Sequence, residues 1–193
     1  RFNNGEDLAC LIYWMRQAIE EKGSLGDFFL EGYRPEESNL GPSISRFVRN
    51  LLELDRGPFF PSGLPDLGKG VRYLLPTPED GSACKRINLY LRWMVRRGDR
   101  LDLGLWREVS TSQLVIPLDS HVLRISRYLG LTTCRSASWA TALEVTKRLQ
   151  CFDADDPVKY DFSLCRLGIL EFCPKKRDYL KCRTCPLVDV CQL

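Results

Sequence analysis

The chain has 193 residues, 44% of them hydrophobic and 27% charged, and a formal net charge of +3. That balance suits an ordinary soluble protein with one substantial core or two small ones. No run of about eighteen apolar residues occurs, so no membrane span is expected, and the small charge does not by itself signal nucleic acid.

The chain starts at Arg1 rather than Met, and a further N-terminal portion is expected to precede it. No signal-peptide pattern is present, which points to a reducing cytoplasm where cysteines stay free. Residues 6–21 carry acids in their first turn and apolar residues at helical spacing, ending at Gly23. Ser24 to Leu30 reads as a short helix closed by Gly32. Residues 42–55 open with Pro42 and Ser43 and keep Ile44, Phe47, Val48, Leu51 and Leu52 on one face. A loop rich in proline and glycine fills 57–70, and a short helix follows at about 66–75.

The stretch from Pro76 turns tightly and runs into an amphipathic helix at about 82–96. Residues 103–113 read as a short helix and connector. Three more helices are expected at about 119–129 (stopped by Gly130), at 136–150 (capped by Ser136 or Ser138) and at 156–172 (starting at Pro157). No alternating strand pattern and no internal repeat appears, so the expected fold is all-α. Arg92, Arg96, Arg97 and Arg100 cluster, while acids concentrate at 20–37 and 153–161. A basic stripe on one face would suit a phosphate backbone.

Four cysteines close the chain in the order Cys173-x8-Cys182-x2-Cys185-x5-Cys191. Four thiolates in one short loop satisfy either a tetrahedral zinc site or an iron–sulfur cluster. Lys175, Lys176, Arg177, Lys181 and Arg183 would offset their charge and leave a basic rim. The other five cysteines stand singly in apolar segments, as buried reduced cysteines do.

Two helix starts carry further chemistry. Gly81, Ser82 and Ala83 are small enough to admit another backbone closely, and the helix amides that follow form a natural phosphate seat. Lys85 lies in that helix's first turn, with Arg86 beside it. At the second start, Asp119 immediately precedes a helix and is a favoured N-cap residue. His121 is the chain's single histidine, which excludes a multi-histidine metal site and argues against a Ser-His-Asp enzyme.

The segment Ile116–Gly130 resembles the V-D-T-H-V-x-R-V-x-x-R-L-G signature of the helix-hairpin-helix DNA glycosylases of the endonuclease III type. The tail is similar to their C-x6-C-x2-C-x5-C loop, which holds a [4Fe–4S] cluster. It matches the last two spacings and has two more residues in the first. The likeness runs from roughly residue 64 to the end. Gly81, Ala83 and Lys85 resemble the G-x-G-x-K of the lyase-competent members, with Ala83 in place of the second glycine and no Leu-Pro-Gly hairpin. The long interval from Lys85 to Asp119 is more like the archaeal 8-oxoguanine glycosylases, and the overall likeness is to a bacterial branch of helix-hairpin-helix proteins that keeps the cluster.

The resemblance implies a two-lobed helical fold. One lobe would span 1–135, with the helix-hairpin-helix at about 66–96 and part of the family's N-terminal region missing; the second would span 136–193. It implies a monomer acting on double-stranded DNA that carries a damaged base, with no membrane contact. Lys85 would be the nucleophile and Asp119 its carboxylate partner. Gly81, Ser82, Ala83, Arg86, Lys181 and Arg183 would contact DNA, and Cys173, Cys182, Cys185 and Cys191 would hold the [4Fe–4S] cluster. Trp93, Trp106, Trp139, Phe59 and Phe60 are candidates for stacking on the extruded base. The implied activity is base excision with an AP-lyase step, on 8-oxoguanine first, with oxidised pyrimidine or mispaired adenine as alternatives. A DNA-binding module of the same fold without catalysis, and a zinc-stapled interaction protein, are the readings from other classes.

Overall fold

The computed structural model describes residues 3–55, 57–59, 69–176 and 178–192. Among these the regular structure is helical, and the extended pairing is one isolated antiparallel bridge between Ser82 and Ser138. The chain divides into two compact units, Arg1–Asp80 and Gly81–Leu193. The sequence reading placed its boundary at 135/136 instead. Within the second unit the Trp139 amide donates to the Gly81 carbonyl, the Ile116 amide to Thr146 Oγ1 and Arg92 to Asp161, so hydrogen bonds link the residues on either side of position 135.

In the first unit, Asn4 opens α1 (Gly5–Lys22) with a capping box, its side chain accepting from the Asp7 amide while Asp7 accepts from the Asn4 amide. Cys10, Trp14 and Ala18 recur every four residues and are fully buried. They meet α2 (Leu25–Gly32) and α3 (Gly41–Glu53). Phe47 of α3 lies 5.6 Å from Phe29 and 5.9 Å from Phe28 of α2, ring centre to ring centre. The expected helix near 66–75 is α4 (Lys69–Leu74); Phe60 and most of the loop before it lie outside the described residues.

The second unit carries the chemistry. Helix α5 (Lys85–Val95) buries Ile87, Leu91 and Val95, again four apart. The chain then leaves regular structure, and the helix expected in 103–113 is reduced to a single 3-10 turn at Thr111–Gln113. Gly98 and Gly104 take positive φ of 93° and 60° there, and Asp99 accepts from the amides of Leu101 and Asp102. Local side-chain bonds thus replace the helical ladder. Leu114 to Leu118 crosses the interior as buried extended chain, and the Ile116 amide donates to Thr146 Oγ1 at 3.0 Å, so its polar backbone is not left orphaned.

That crossing delivers Asp119 to the start of α6 (Ser120–Tyr128). Helix α7 (Trp139–Gln150) is capped by Ser138. The last long helix is shorter than expected: Pro157–Tyr160 is a 3-10 turn, and α8 spans Asp161–Ile169. Glu171, at φ 56°, turns the chain out of the helix before the cysteines. Among the described residues, α6 and α8 pack along each other more extensively than any other helix pair. Gly168 makes this possible, because a Cβ there would sit 2.7 Å from the His121 Cβ and 2.8 Å from its Nδ1. No helix among the described residues is long and apolar enough to cross a membrane.

Gly168→Ala should therefore destabilise the protein by about 1–3 kcal/mol through overpacking, even though alanine favours a helix by about 1 kcal/mol over glycine. Urea unfolding monitored by circular dichroism measures this, and an unchanged or raised midpoint would show that α6 and α8 do not meet so closely.

Candidate active site and cysteine loop

Lys85 is the first residue of α5 because Cys84, at φ 47° and ψ 36°, occupies the left-handed region and cannot continue a helix. No side chain caps this N-terminus. Gly81 is exposed and at φ 72°, and its carbonyl accepts from the Trp139 amide at 3.0 Å. Ser82 pairs with Ser138, its Oγ accepting from the Cys84 amide. Ala83 is buried, its carbonyl accepting from Asn88 Nδ2, while Arg86 is an exposed residue. The small-residue stretch is thus a strap stitched to the start of α7.

Asp119 caps α6 as expected. Its Oδ1 accepts from the amides of His121 and Val122, both at 2.9 Å. The other oxygen faces Lys85, with Nζ to Oδ2 at 3.8 Å. The two side chains are 43% and 23% exposed, so the pair is reachable from solvent yet partly withdrawn from it. The structure brings together a lysine and an aspartate 34 positions apart in the sequence.

Beneath them lies a network that sequence reasoning missed. Arg92 NH1 donates to Asp161 Oδ2 at 2.6 Å, and its Nε donates to Asp102 Oδ2 at 3.2 Å. Arg96 donates to the same Asp102 oxygen at 2.5 Å, to Asp99 at 2.8 Å and to both oxygens of Asp156. Arg92 and Arg96 are only 4% and 5% exposed. This corrects the reading of the arginine cluster as a phosphate-binding stripe: Arg97 and Arg100 are exposed, whereas Arg92 and Arg96 serve buried carboxylates. A usable signal was the seven-residue step from Lys85 to Arg92, which puts both on one face of α5.

Burial pushes the Asp161 carboxyl up from its ordinary 3.8 to about 6; Arg92 opposes this, Asp119 adds to it, and Lys85 opposes it. Asp161 therefore senses both members of the pair. Cys165, one turn along α8, is also raised by burial, and next by Asp119 and Asp161. For Arg96, burial acts against the charge, but Asp156, Asp99 and Asp102 hold it above its ordinary range.

The tail places Cys173, Cys182, Cys185 and Cys191 around one pocket, lined also by Phe172, Pro174 and Val188. All four thiols are free of disulfides. Burial raises the Cys173 thiol, Arg124 opposes that, and Cys191, Cys185 and Cys182 reinforce it. No group of three or more histidine, cysteine, aspartate or glutamate side chains among the described residues is arranged to hold a metal ion. The loop is anchored on α6: Arg124 donates to the Cys173 carbonyl at 2.8 Å, Tyr128 Oη to the Lys175 carbonyl at 3.0 Å, and the Gln192 amide to the Tyr128 carbonyl at 2.7 Å. Lys175, Lys176, Lys181 and Arg183 are exposed, with Lys181 Nζ donating to the Glu171 carbonyl, while Arg177 lies outside the described residues. Among the aromatic candidates, Trp93 is exposed, Trp106 is buried edge-on against Tyr90, Trp139 is half-buried and Phe59 packs on Tyr13.

The Asp161 shift has a sign that can be tested. Its folded value lies above the ordinary 3.8, so the folded state binds the extra proton, and the stabilisation, fully present below 3.8, is lost as pH rises from there through about 6. The stability of the wild type relative to Asp161→Asn should fall across this window, by on the order of 3 kcal/mol. Denaturant titrations of both proteins over that range measure it; a pH-independent difference would contradict the assigned shift.

No curated protein and no solved structure matches the chain. A family model described as "Protein of unknown function (DUF2400)" matches residues 1–170, a span that includes Lys85, Asp119 and Asp161 and stops before Cys173. The chain belongs to the DUF2400 family.

Proposed function

We propose that the protein is a base-excision DNA glycosylase with an AP-lyase step, built on the helix-hairpin-helix glycosylase fold, with 8-oxoguanine as its first substrate. One observation carries the reading: Lys85 Nζ and Asp119 Oδ2 lie 3.8 Å apart, each at the N-terminal end of a helix. An amine beside a fixed carboxylate, open to solvent, suits attack on a sugar carbon.

The target nucleotide is extruded from the duplex so that its C1′ reaches Lys85. The neutral amine attacks C1′; a nitrogen–carbon bond forms as the bond to the base breaks, and the base leaves with the electron pair and takes up a proton. Asp119 stabilises the positive charge that develops on the sugar. Loss of the ring oxygen bond gives a Schiff base between Lys85 and C1′, and abstraction of a C2′ proton then expels the 3′ phosphate. The uncapped start of α5 offers amides to a backbone phosphate, and Gly81, Ser82 and Arg86 border it; Ala83, being buried, supports the turn from within.

Four free thiols around one pocket support a [4Fe–4S] cluster held by Cys173, Cys182, Cys185 and Cys191. When bound, the cluster cross-links the loop and keeps its basic residues, Lys181 and Arg183 among them, in place for phosphate.

The experiment is borohydride trapping on duplexes carrying 8-oxoguanine, thymine glycol or an abasic site. The wild type should give a covalent protein–DNA band. Lys85→Gln should abolish it, and Asp119→Asn should lower its rate by roughly a hundredfold or more, the scale of one acid–base or electrostatic group. A wild type that binds these duplexes and forms no adduct on any of them would leave the protein as a DNA-binding module without this chemistry. In the same preparations, Cys182→Ser or Cys185→Ser should lose bound iron and its visible absorbance.

A further inference from the structure

Asp161 has no part in that scheme, yet its position is unusual. It is 3% exposed, opens α8, and binds Arg92 through Oδ2 at 2.6 Å. Arg92 lies two turns from Lys85 on the same side of α5, and α8 packs along the helix that Asp119 caps. Arg92 thus ties Asp161 to the helix that carries Lys85, while α8 runs beside the helix that Asp119 caps. A buried carboxylate is usually retained with a full set of partners, but the Arg92 that serves Asp161 is shared with Asp102.

We propose that Asp161 is a positioning residue of the Lys85–Asp119 site, a buried carboxylate that Arg92 holds in place and that takes up a proton when Lys85 gives one up. The proposal rests on reading Lys85 as a nucleophile. An ammonium that becomes an amine beside Asp119 leaves a negative charge unbalanced in a half-buried setting, which is costly in a poorly polarisable interior. Protonation of Asp161 removes one negative charge as Lys85 loses one positive charge. In the net exchange one N–H bond is broken and one O–H bond is formed, and the total charge of the site is unchanged.

The groups around Asp161 are few. Helix α5 contributes Lys85 and Arg92, the cap of α6 contributes Asp119, and Cys165 lies one turn along α8 itself. Asp102 acts on it through the shared Arg92. The 3-10 turn before α8 carries Lys159, which pairs with Asp153 instead. Farther along α8, His121 of α6 meets Gly168, and Arg124 is turned to the Cys173 carbonyl.

The test is a carbon-13 NMR titration of the Asp161 carboxyl in the full chain, as wild type, Lys85→Gln and Asp119→Asn. Asp161 is intact in all three, and both substituted side chains are partly exposed, so folding is not at stake. The Asp161 midpoint should move up in Lys85→Gln, which removes a neighbouring cation, and down in Asp119→Asn, which removes a neighbouring anion. Identical midpoints in the three proteins would overturn the proposal and leave Asp161 as an anchor for Arg92 alone. Opposite shifts in a protein that forms no borohydride adduct would uphold the coupling of the three groups and reject the glycosylase reading by itself.

Discussion

Arg92 and Arg96 enter the interior of the second unit fully charged, and the arrangement of that unit follows from how they are satisfied. An isolated buried guanidinium would be prohibitive, so each must collect carboxylates in a geometry its planar fork can use. Arg92 reaches the start of α8 through Asp161 and the irregular segment through Asp102; Arg96 shares Asp102 and adds Asp99 and Asp156. Apolar packing would allow α5 to slide or rotate against α8 by a fraction of a turn at modest cost. Directional ion pairs do not. They fix the register of α5, and with it the place of Lys85 at the helix's first turn.

The helices were legible in the sequence because their signals are local. Asn4, Ser24, Asp119 and Ser138 each cap a helix with the side-chain bond their chemistry suggests, and apolar residues at helical spacing run through 6–21, where Cys10, Trp14 and Ala18 are buried. The ends of elements were less legible. The segment after Val95 lost its expected helix to positive-φ glycines and the Asp99 side chain, and α8 ended early where Glu171 turned left-handed. Least legible of all was the ion network. Arg92 and Asp161 are 69 positions apart, and an arginine cluster on one helix looks the same in sequence whether it faces solvent or carboxylates. Lys85 and Asp119 were easier to single out than the network beneath them, since each stands at a helix start.

Helix α6 joins two features that the sequence presented separately. At its N-terminus Asp119 faces Lys85, and from its body and C-terminal end Arg124 and Tyr128 hold carbonyls and an amide of the cysteine loop. Nine residues of helix therefore set the loop at a fixed offset from the pair. Both arginine and tyrosine use main-chain partners in the loop, so this anchoring depends on the path of the backbone and only indirectly on the thiols. A change at a cysteine would reach Lys85 through the seating of the loop on α6, whereas a change at Arg92 would reach it directly through α5.

Asp119 shows why a helix cap is a good place for a reacting carboxylate. One oxygen accepts two backbone amides, which locks the side-chain rotamer without a neighbouring side chain to hold it. The second oxygen is left to face Lys85, in an orientation set by the main chain and so insensitive to small repacking nearby. An asparagine could keep the carbonyl oxygen for the two amides and would turn its amide nitrogen toward the lysine, preserving the cap while removing the negative charge. A glutamate would keep the charge but lose the cap geometry, because its carboxylate stands one carbon farther from the backbone. Comparison of the two therefore separates what Asp119 does for the helix from what it does for Lys85.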